Sequence, residues 1–329
     1  MKPETIALHH GYEADNQHAV AVPIHQTTSF SFDNAQHGAD LFDLKVAGNI
    51  YSRMMNPTCA VLEQRVAALE GGIGALAVAS GMAAITYAIQ TIAEAGDNLV
   101  SISELYGGTY NLLAHTLPRQ GIETRFADKD DFAGIEALID GRTKALFCES
   151  IGNPSGSVVN IRRLADIAHA AGIPLVVDNT VATPFLWRPI EQGADIVVHS
   201  ATKYMGGHGT TMGGVIVDSG TFPWADQPKR FALLNEPDVS YHGVSYTRDV
   251  GEAAFITRAR VVPLRNMGAV LSAQAAWNLL QGLETLALRI ERVCENTQKI
   301  AEYLQKHPRV SWVNYAGLPN HKDHALAQK

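Results

Sequence analysis

The chain has 329 residues, of which 46% are hydrophobic and 18% charged, a composition typical of a folded globular protein with a large core. Its formal net charge is −7, whereas binding to nucleic acids or anionic membranes requires a concentrated basic surface. We therefore expect a small-molecule substrate. The chain shows no signal-peptide pattern, no apolar run of membrane-spanning length, and no C-x-x-C or H-E-x-x-H motif, so we expect a cytoplasmic protein without disulfides or a metal site.

The N-terminal sixty residues differ in pattern from those that follow. Residues 1–60 are polar and irregular, and we interpret them as an arm that contacts a neighbouring subunit. From about residue 60 to 220, amphipathic helices alternate with short apolar runs, which is typical of an α/β sheet with crossover helices. Apolar residues at helical spacing predict one helix that stops at Gly71 and another, carrying Met82, that stops before Gly96.

Short apolar runs mark the predicted strands. These runs cover residues 98–102, 144–148, 173–177, 195–198 and 214–217. Most of them are too apolar to be half exposed, so we expect a buried, largely parallel central sheet with helices on both faces. A helical stripe over residues 161–171 joins the second and third runs into a β-α-β unit.

Beyond residue 260 the pattern changes again. Long helices are predicted over residues 271–288 and 290–304, followed by a short strand around residues 310–313. These elements are too few to enclose a separate core, so we expect only part of a smaller C-terminal α+β domain. The predicted organisation is an arm (1–60), a cofactor-binding domain (61–260) and a partial C-terminal domain (261–329).

Polar residues that follow the apolar runs are the candidate ligand residues, because open α/β sheets bind ligands at the carboxyl ends of their strands. Asp178 follows the run 173–177, and Lys203 comes after the run 195–198, with Ser200 and Thr202 beside it. A lysine amine can condense with the aldehyde of pyridoxal 5′-phosphate (PLP), while a carboxylate keeps the pyridine nitrogen protonated. Lys203 and Asp178 together predict a PLP site. Alone, Lys203 would be interpreted as a solvated surface lysine and Asp178 as an acid that caps a strand end.

Further positions complete the predicted site. Gly81 and Met82 lie where a strand meets a helix, and the N–H groups at a helix N-terminus bind phosphate. Tyr106 lies just past a strand and next to glycines, so its ring could lie flat against a cofactor. Asn153 also follows a strand and could donate to a phenolate oxygen. A turn glycine, a packed aromatic ring and an Asn-Pro turn are the structural alternatives.

The combined motifs resemble the Cys/Met-metabolism PLP-dependent enzymes along the whole chain. The motifs are YSRMMNPT at 51–58, SGM at 80–82, VDNT at 177–180 and SATKY at 200–204. This resemblance implies a fold-type I, aspartate-aminotransferase-like enzyme, usually a homotetramer whose active sites are completed across a dimer interface. It also implies that the substrate-carboxylate arginine lies late in the C-terminal domain, beyond residue 329.

The resemblance also implies residue roles. Lys203 would hold PLP as a Schiff base, Asp178 would pair with the pyridine nitrogen, and Tyr106 would stack on the ring, so Lys203 and Tyr106 are the predicted catalytic residues. The phosphate would be held by Gly81, Met82, Ser200 and Thr202, with Tyr51 and Arg53 reaching the phosphate of the neighbouring subunit.

Within the family, the segment after residues 214–217 resembles the O-acetylhomoserine sulfhydrylases, through EPD at 236–238 and SYHG at 240–243. That resemblance implies γ-replacement, in which O-acetylhomoserine and sulfide, or a small thiol, give homocysteine or methionine and acetate. Methionine γ-lyase, cystathionine γ-synthase and O-succinylhomoserine sulfhydrylase share the early chemistry and stay open as alternatives. A catalytically silent PLP-fold binding protein is the alternative from a different class.

Overall fold

A seven-stranded sheet forms the centre of the structure, a computed structural model that describes residues 1–14 and 17–329. Its strands are β1 (Gly74–Val78), β2 (Asn98–Ile102), β3 (Glu123–Ala127), β4 (Thr143–Glu149), β5 (Leu175–Asp178), β6 (Ile196–His199) and β7 (Gly214–Asp218). Their order across the sheet is β1-β7-β6-β5-β4-β2-β3. Strand β7 runs antiparallel to both of its neighbours, and the other neighbouring strands are parallel. The predicted α/β class with a largely parallel sheet is therefore confirmed.

Helices and loops cover both faces of this sheet, since β2, β6 and β7 are buried along their whole length. The α-helices range from single turns to the 20 residues of α15. They are α1 (Pro3–His9), α2 (Ala35–Phe42), α3 (Pro57–Glu70), α4 (Gly81–Gln90), α5 (Gly107–Asn111), α6 (Leu117–Arg119), α7 (Phe132–Leu138), α8 (Ile161–Ala170), α9 (Thr183–Leu186), α10 (Ala232–Asn235), α11 (Tyr246–Asp249), α12 (Ala254–Ala259), α13 (Arg265–Met267), α14 (Ala273–Glu284), α15 (Leu286–Gln305) and α16 (His324–Ala327). Short 3₁₀ helices occur at Pro189–Gln192, Trp224–Asp226 and Gly251–Ala253, and π-helical turns at Leu112–Thr116 and Arg260–Leu264. None of the helices in the described ranges is both long and apolar enough to cross a membrane.

The predicted strands correspond to β2, β4, β5, β6 and β7, with ends that differ by no more than two residues. Strand β1 ends at Val78, two residues before Ser80, at the predicted strand–helix junction. Strand β3 was not predicted because Glu123 and Arg125 interrupt any apolar run. It is an edge strand whose residues are exposed or half-buried, so it does not need a continuous run of apolar residues.

The helix ends follow the predicted stop signals. Helix α3 ends at Gly71, which has a left-handed backbone with φ of 84°. Helix α8 is followed by Gly172, with φ of 67°. Helices α14 and α15 correspond to the two predicted C-terminal helices, although the break falls at Thr285 and not after residue 288. A hydroxyl side chain, that of Ser272, caps α14 by accepting from Ala275 N.

Two segments outside the central sheet differ from, or add to, the sequence interpretation. The predicted strand at residues 310–313 is wrong: the segment has no regular structure, Trp312 is 78% exposed, and no strand in the described part of the chain pairs with it. At the other end, Ala7 of α1 is buried, and the Arg65 side chain of α3 donates to the carbonyl oxygens of Ala7 and His10. The first ten residues therefore pack on their own chain, while an arm that reaches a neighbouring subunit and the division into three domains stay predictions.

Candidate active site

The carboxyl ends of β4, β5 and β6 meet at one edge of the sheet, the carboxyl edge, and carry five of the ten predicted ligand residues. Glu149 and Asp178, the last residues of β4 and β5, are partners in the parallel register. His199 ends β6, and Ser200 follows it. This edge is where ligands bind in open α/β folds, so the geometry agrees with the predicted location.

Among the described residues, Thr180 alone donates hydrogen bonds to the Asp178 carboxylate. Thr180 donates to Asp178 Oδ1 twice, from its backbone N at 2.9 Å and from its hydroxyl at 2.5 Å. Burial raises the pKa of the Asp178 carboxyl, and the Thr180 hydrogen bonds and the charge of His199 only partly oppose this. Among the described residues, no lysine or arginine forms an ion pair with Asp178. The free Oδ2 therefore suits a cationic N–H group from a ligand.

Glu149 was not predicted as a site residue, but it anchors two that were. Its carboxylate accepts from Tyr106 N at 2.7 Å and from Asn153 N at 3.2 Å. Burial, followed by the negative charge of Asp178, raises the pKa of Glu149 to about 8. Glu149 thus fixes the loops of Tyr106 and Asn153 at the edge that carries Asp178. Its signal in the sequence is the same as that of Asp178, an acid directly after an apolar run.

The N-terminus of α4 lies against Ser200. The Ser80 side chain caps the helix by accepting from Ala83 N at 3.1 Å, and the N–H groups of Gly81 and Met82 have no partner within the helix. A Cβ atom on Gly81 would lie 2.6 Å from Ser200 Cβ, so only glycine permits this approach. Ser200 N in turn donates to Thr180 Oγ1 at 2.8 Å. Helix N–H groups and a serine hydroxyl therefore converge, as an anionic phosphate requires.

Lys203 lies in the turns that follow β6, and its side chain is exposed. The turn is fixed by Thr202, whose hydroxyl donates to Gly213 O at 3.2 Å and accepts from Gly213 N at 3.1 Å. The Tyr106 ring is half exposed and packs over Gly108, where a Cβ atom would lie 2.5 Å from the ring. Asn153 is exposed as well. The side chains of Lys203, Tyr106 and Asn153 are therefore accessible to a cofactor.

Tyr51 and Arg53 lie side by side on the surface. Both side chains are exposed, and the Arg53 guanidinium lies 5.4 Å from the Tyr51 ring centroid. They line a cavity of about 290 Å³ together with residues 25–28 and 270–273. A cavity of about 620 Å³ near Arg188 is lined by none of the predicted site residues, all of which the structure describes. The cavity that Tyr51 and Arg53 line includes none of the other predicted site residues.

The carboxyl edge fits PLP by its own chemistry. A helix N-terminus with Ser200 suits the phosphate, the uncompensated Asp178 carboxylate suits a protonated ring nitrogen, and an exposed lysine amine suits the aldehyde. A sequence profile of the family described as Cys/Met metabolism PLP-dependent enzyme matches residues 4–329. The chain belongs to this family.

Individual relatives agree over the whole chain. Homocysteine synthase of Schizosaccharomyces pombe is 53% identical over 328 residues, which cover 99% of this chain and 76% of the relative. O-acetyl-L-homoserine sulfhydrylase of Leptospira meyeri is 49% identical over 338 residues, covering 100% and 76%. An O-acetylhomoserine (thiol)-lyase structure from Campylobacter jejuni, solved with N′-pyridoxyl-lysine-5′-monophosphate, has a TM-score of 0.96 and 42% identity, covering 100% of this chain and 81% of that chain.

These similarities confirm the predicted family and the fold-type I architecture, and they make PLP the cofactor of this Cys/Met metabolism enzyme. The roles of single residues at the carboxyl edge stay predictions. The geometry unites Asp178, Ser200 and Gly81, and it unites Tyr106 with Asn153 through Glu149.

Proposed function

We propose that this PLP-dependent enzyme catalyses γ-replacement, in which O-acetylhomoserine and sulfide give homocysteine and acetate. The bond between Cγ and the acetate oxygen breaks, a bond between Cγ and sulfur forms, and acetate leaves. The observation that carries this proposal is similarity over 99% or more of the chain, at 44% to 53% identity, to proteins called homocysteine synthase and O-acetyl-L-homoserine sulfhydrylase. A small thiol in place of sulfide would give methionine or another thioether.

Each part of the cofactor has residues that would hold it. Lys203 would bind it covalently, Asp178 Oδ2 would hold the proton of the ring nitrogen, Tyr106 would stack on the ring and Asn153 would donate to its phenolate oxygen. The phosphate would be bound by Gly81, Met82, Ser200 and Thr202. When bound, PLP supplies an electron sink that stabilises negative charge at the substrate carbons near the amine.

The chain's own residues would orient the substrate and move its protons. Lys203 is exposed in the turns that follow β6, and we expect its amine to take protons from Cα and Cβ and to return them. Glu149 would keep the Tyr106 and Asn153 loops in place while this happens, because its carboxylate accepts one backbone N–H from each loop.

The assembly is a further part of the proposal. We infer a homotetramer of two dimers that share active sites, in which exposed Tyr51 and Arg53 reach the phosphate of the neighbouring subunit. Both side chains are exposed, and they line a cavity that includes none of the other predicted cofactor contacts, which supports this proposal. A cytoplasmic location fits a biosynthetic enzyme that acts on an amino acid and sulfide.

Product analysis tests the proposed reaction. The purified, PLP-loaded enzyme is incubated with O-acetylhomoserine and either sulfide, cysteine or no acceptor, and separately with O-succinylhomoserine and sulfide. We expect homocysteine and acetate with sulfide and the acetyl ester as the fastest reaction. Faster cystathionine formation with cysteine, an elimination product without acceptor, or a preference for the succinyl ester would each favour an alternative activity. PLP binding without turnover of any ester would indicate a catalytically silent protein.

A further inference from the structure

A buried polar cluster lies directly behind the carboxyl edge of the sheet. It consists of Glu70, the last residue of α3, with Asn179 and His199, and we call it the Glu70 cluster. Each of the three side chains is at most 1% exposed. None of them is among the predicted cofactor contacts, so the site described above leaves the cluster without a role.

One carboxylate oxygen joins the ends of two strands. Glu70 Oε1 lies 2.6 Å from His199 Nε2 and accepts from Asn179 Nδ2 at 2.9 Å. Asn179 Nδ2 also donates to the carbonyl oxygen of Trp187 at 2.9 Å, and Asn179 N donates to the carbonyl oxygen of Val198. The carboxyl ends of β5 and β6 are therefore tied together at Glu70.

The cluster is adjacent in sequence to two cofactor contacts. Asn179 directly follows Asp178, and His199 directly precedes Ser200. Successive side chains point to opposite faces of a strand, so Asn179 and His199 face away from the site when Asp178 and Ser200 face it. On the site side, Thr180 bonds both Asp178 and Ser200. The two strand ends are thus held from both faces.

Stability alone does not account for the cluster. Glu70 Oε2, Asn179 Oδ1 and His199 Nδ1 are buried and have no hydrogen-bond partner among the described residues. Buried polar groups with unmet hydrogen bonds are costly, and well-packed apolar side chains are often more stable at such positions. A network that is incomplete in this way is better explained by the geometry that it fixes.

We propose that Glu70, Asn179 and His199 are positioning residues that set the Asp178 carboxylate against the ring nitrogen and Ser200 against the phosphate. This inference rests on the proposed cofactor contacts of Asp178 and Ser200. It extends the PLP site to a layer of side chains that never touches the cofactor.

The test compares Glu70→Ala with Glu70→Gln in the full chain. Alanine removes the shared acceptor, while glutamine keeps a carbonyl oxygen at the same place. We expect Glu70→Ala to weaken PLP binding about tenfold or more and to lower kcat with little change in KM, as loss of supporting hydrogen bonds around a bound group does. Glu70→Gln should stay within about threefold of the wild type in PLP affinity.

The matched control is Asp195→Ala, which removes a buried carboxylate at the opposite ends of β5 and β6. It should lower the unfolding midpoint and leave the PLP dissociation constant unchanged. An unchanged dissociation constant in Glu70→Ala, or an equal loss in Asp195→Ala, overturns the inference. If Glu70→Ala does not fold, Asn179→Ala is judged by the same criterion. A wild-type enzyme that does not bind PLP would instead contradict the proposed function.

Discussion

The two ends of β5 and β6 contain similar buried acids and histidines, but the side chains at the two ends differ in how fully they are hydrogen-bonded. At the amino end, Asp195 Oδ2 accepts from Leu175 N at 2.8 Å and lies 2.8 Å from His169 Nε2. At the carboxyl end, a second acid–histidine pair, Glu70 with His199, lies behind Asp178. Both ends therefore bury carboxylates beside a histidine.

The difference lies in what remains unsatisfied. Asp195 at the amino end has a backbone N–H and a histidine as partners from the chain itself. At the carboxyl end, the pKa of Glu149 is raised to about 8, and three buried atoms of the Glu70 cluster have no hydrogen-bond partner among the described residues. Neither Asp195 nor His169 has such a buried, unpaired atom, so we call the amino end of these strands the complete end and the carboxyl end the incomplete end. Substitutions at each end test this difference.

The largest effect is expected for Lys203→Ala. Without the amine, the enzyme loses both the covalent attachment of the cofactor and the proton-transferring group, so activity should fall by about 10³-fold or more. The visible absorption band of the PLP-loaded enzyme should disappear as well. Lys229→Ala, at another exposed lysine, should retain both properties. Retention of band and turnover in Lys203→Ala would show that the amine is not needed.

Asp178→Asn is expected to have the next largest effect. The amide cannot stabilise a protonated ring nitrogen as a carboxylate does, so kcat should fall by about 100-fold while the fold is kept. Steady-state kinetics measure this change, with Asp195→Asn as the control at the other end of the strands. If both variants lose activity equally, the proposed division between the two ends is wrong.

The variant Glu149→Gln tests the incomplete end through the pH dependence of folding stability. In the cofactor-free protein, the pKa of Glu149 is about 8, above its ordinary value of 4.5. The unfolded chain therefore ionises first, and the folded state loses stability between pH 4.5 and about 8, by up to about 1.4 kcal/mol per pH unit. Denaturant unfolding across this range should show a smaller loss in Glu149→Gln. Parallel pH curves for the two proteins would contradict the raised pKa.

The smallest effect is expected for His169→Ala at the complete end. Its hydrogen bond to Asp195 raises the pKa of His169 above 6.5, so its contribution is full below that pH and is lost as pH rises through the raised value. Since His169 is 43% exposed, we expect only a few tenths of a kcal/mol. Unfolding midpoints at low and high pH measure this, and a weaker PLP affinity would mean that the amino end also serves the cofactor.

The sequence predicts the buried strands and the residues directly after them, because a strand covered on both faces reads as a continuous apolar run. Strand β3 has no continuous apolar run and was not predicted, because it lies at the edge of the sheet. Residues 310–313 were predicted as a strand but form none, because no strand among the described residues pairs with them. Glu149 carries the same signal as Asp178 and could have been found. The Glu70–His199 contact joins residues 129 positions apart, so only the folded chain brings them together.

The covalent attachment of PLP to the carboxyl edge is tested most directly by borohydride reduction of the PLP-loaded enzyme, followed by peptide mapping with mass spectrometry. We predict a pyridoxyl group on the peptide that contains Lys203 and on no other lysine. A modified lysine elsewhere, or no modification in an enzyme saturated with PLP, would contradict this account.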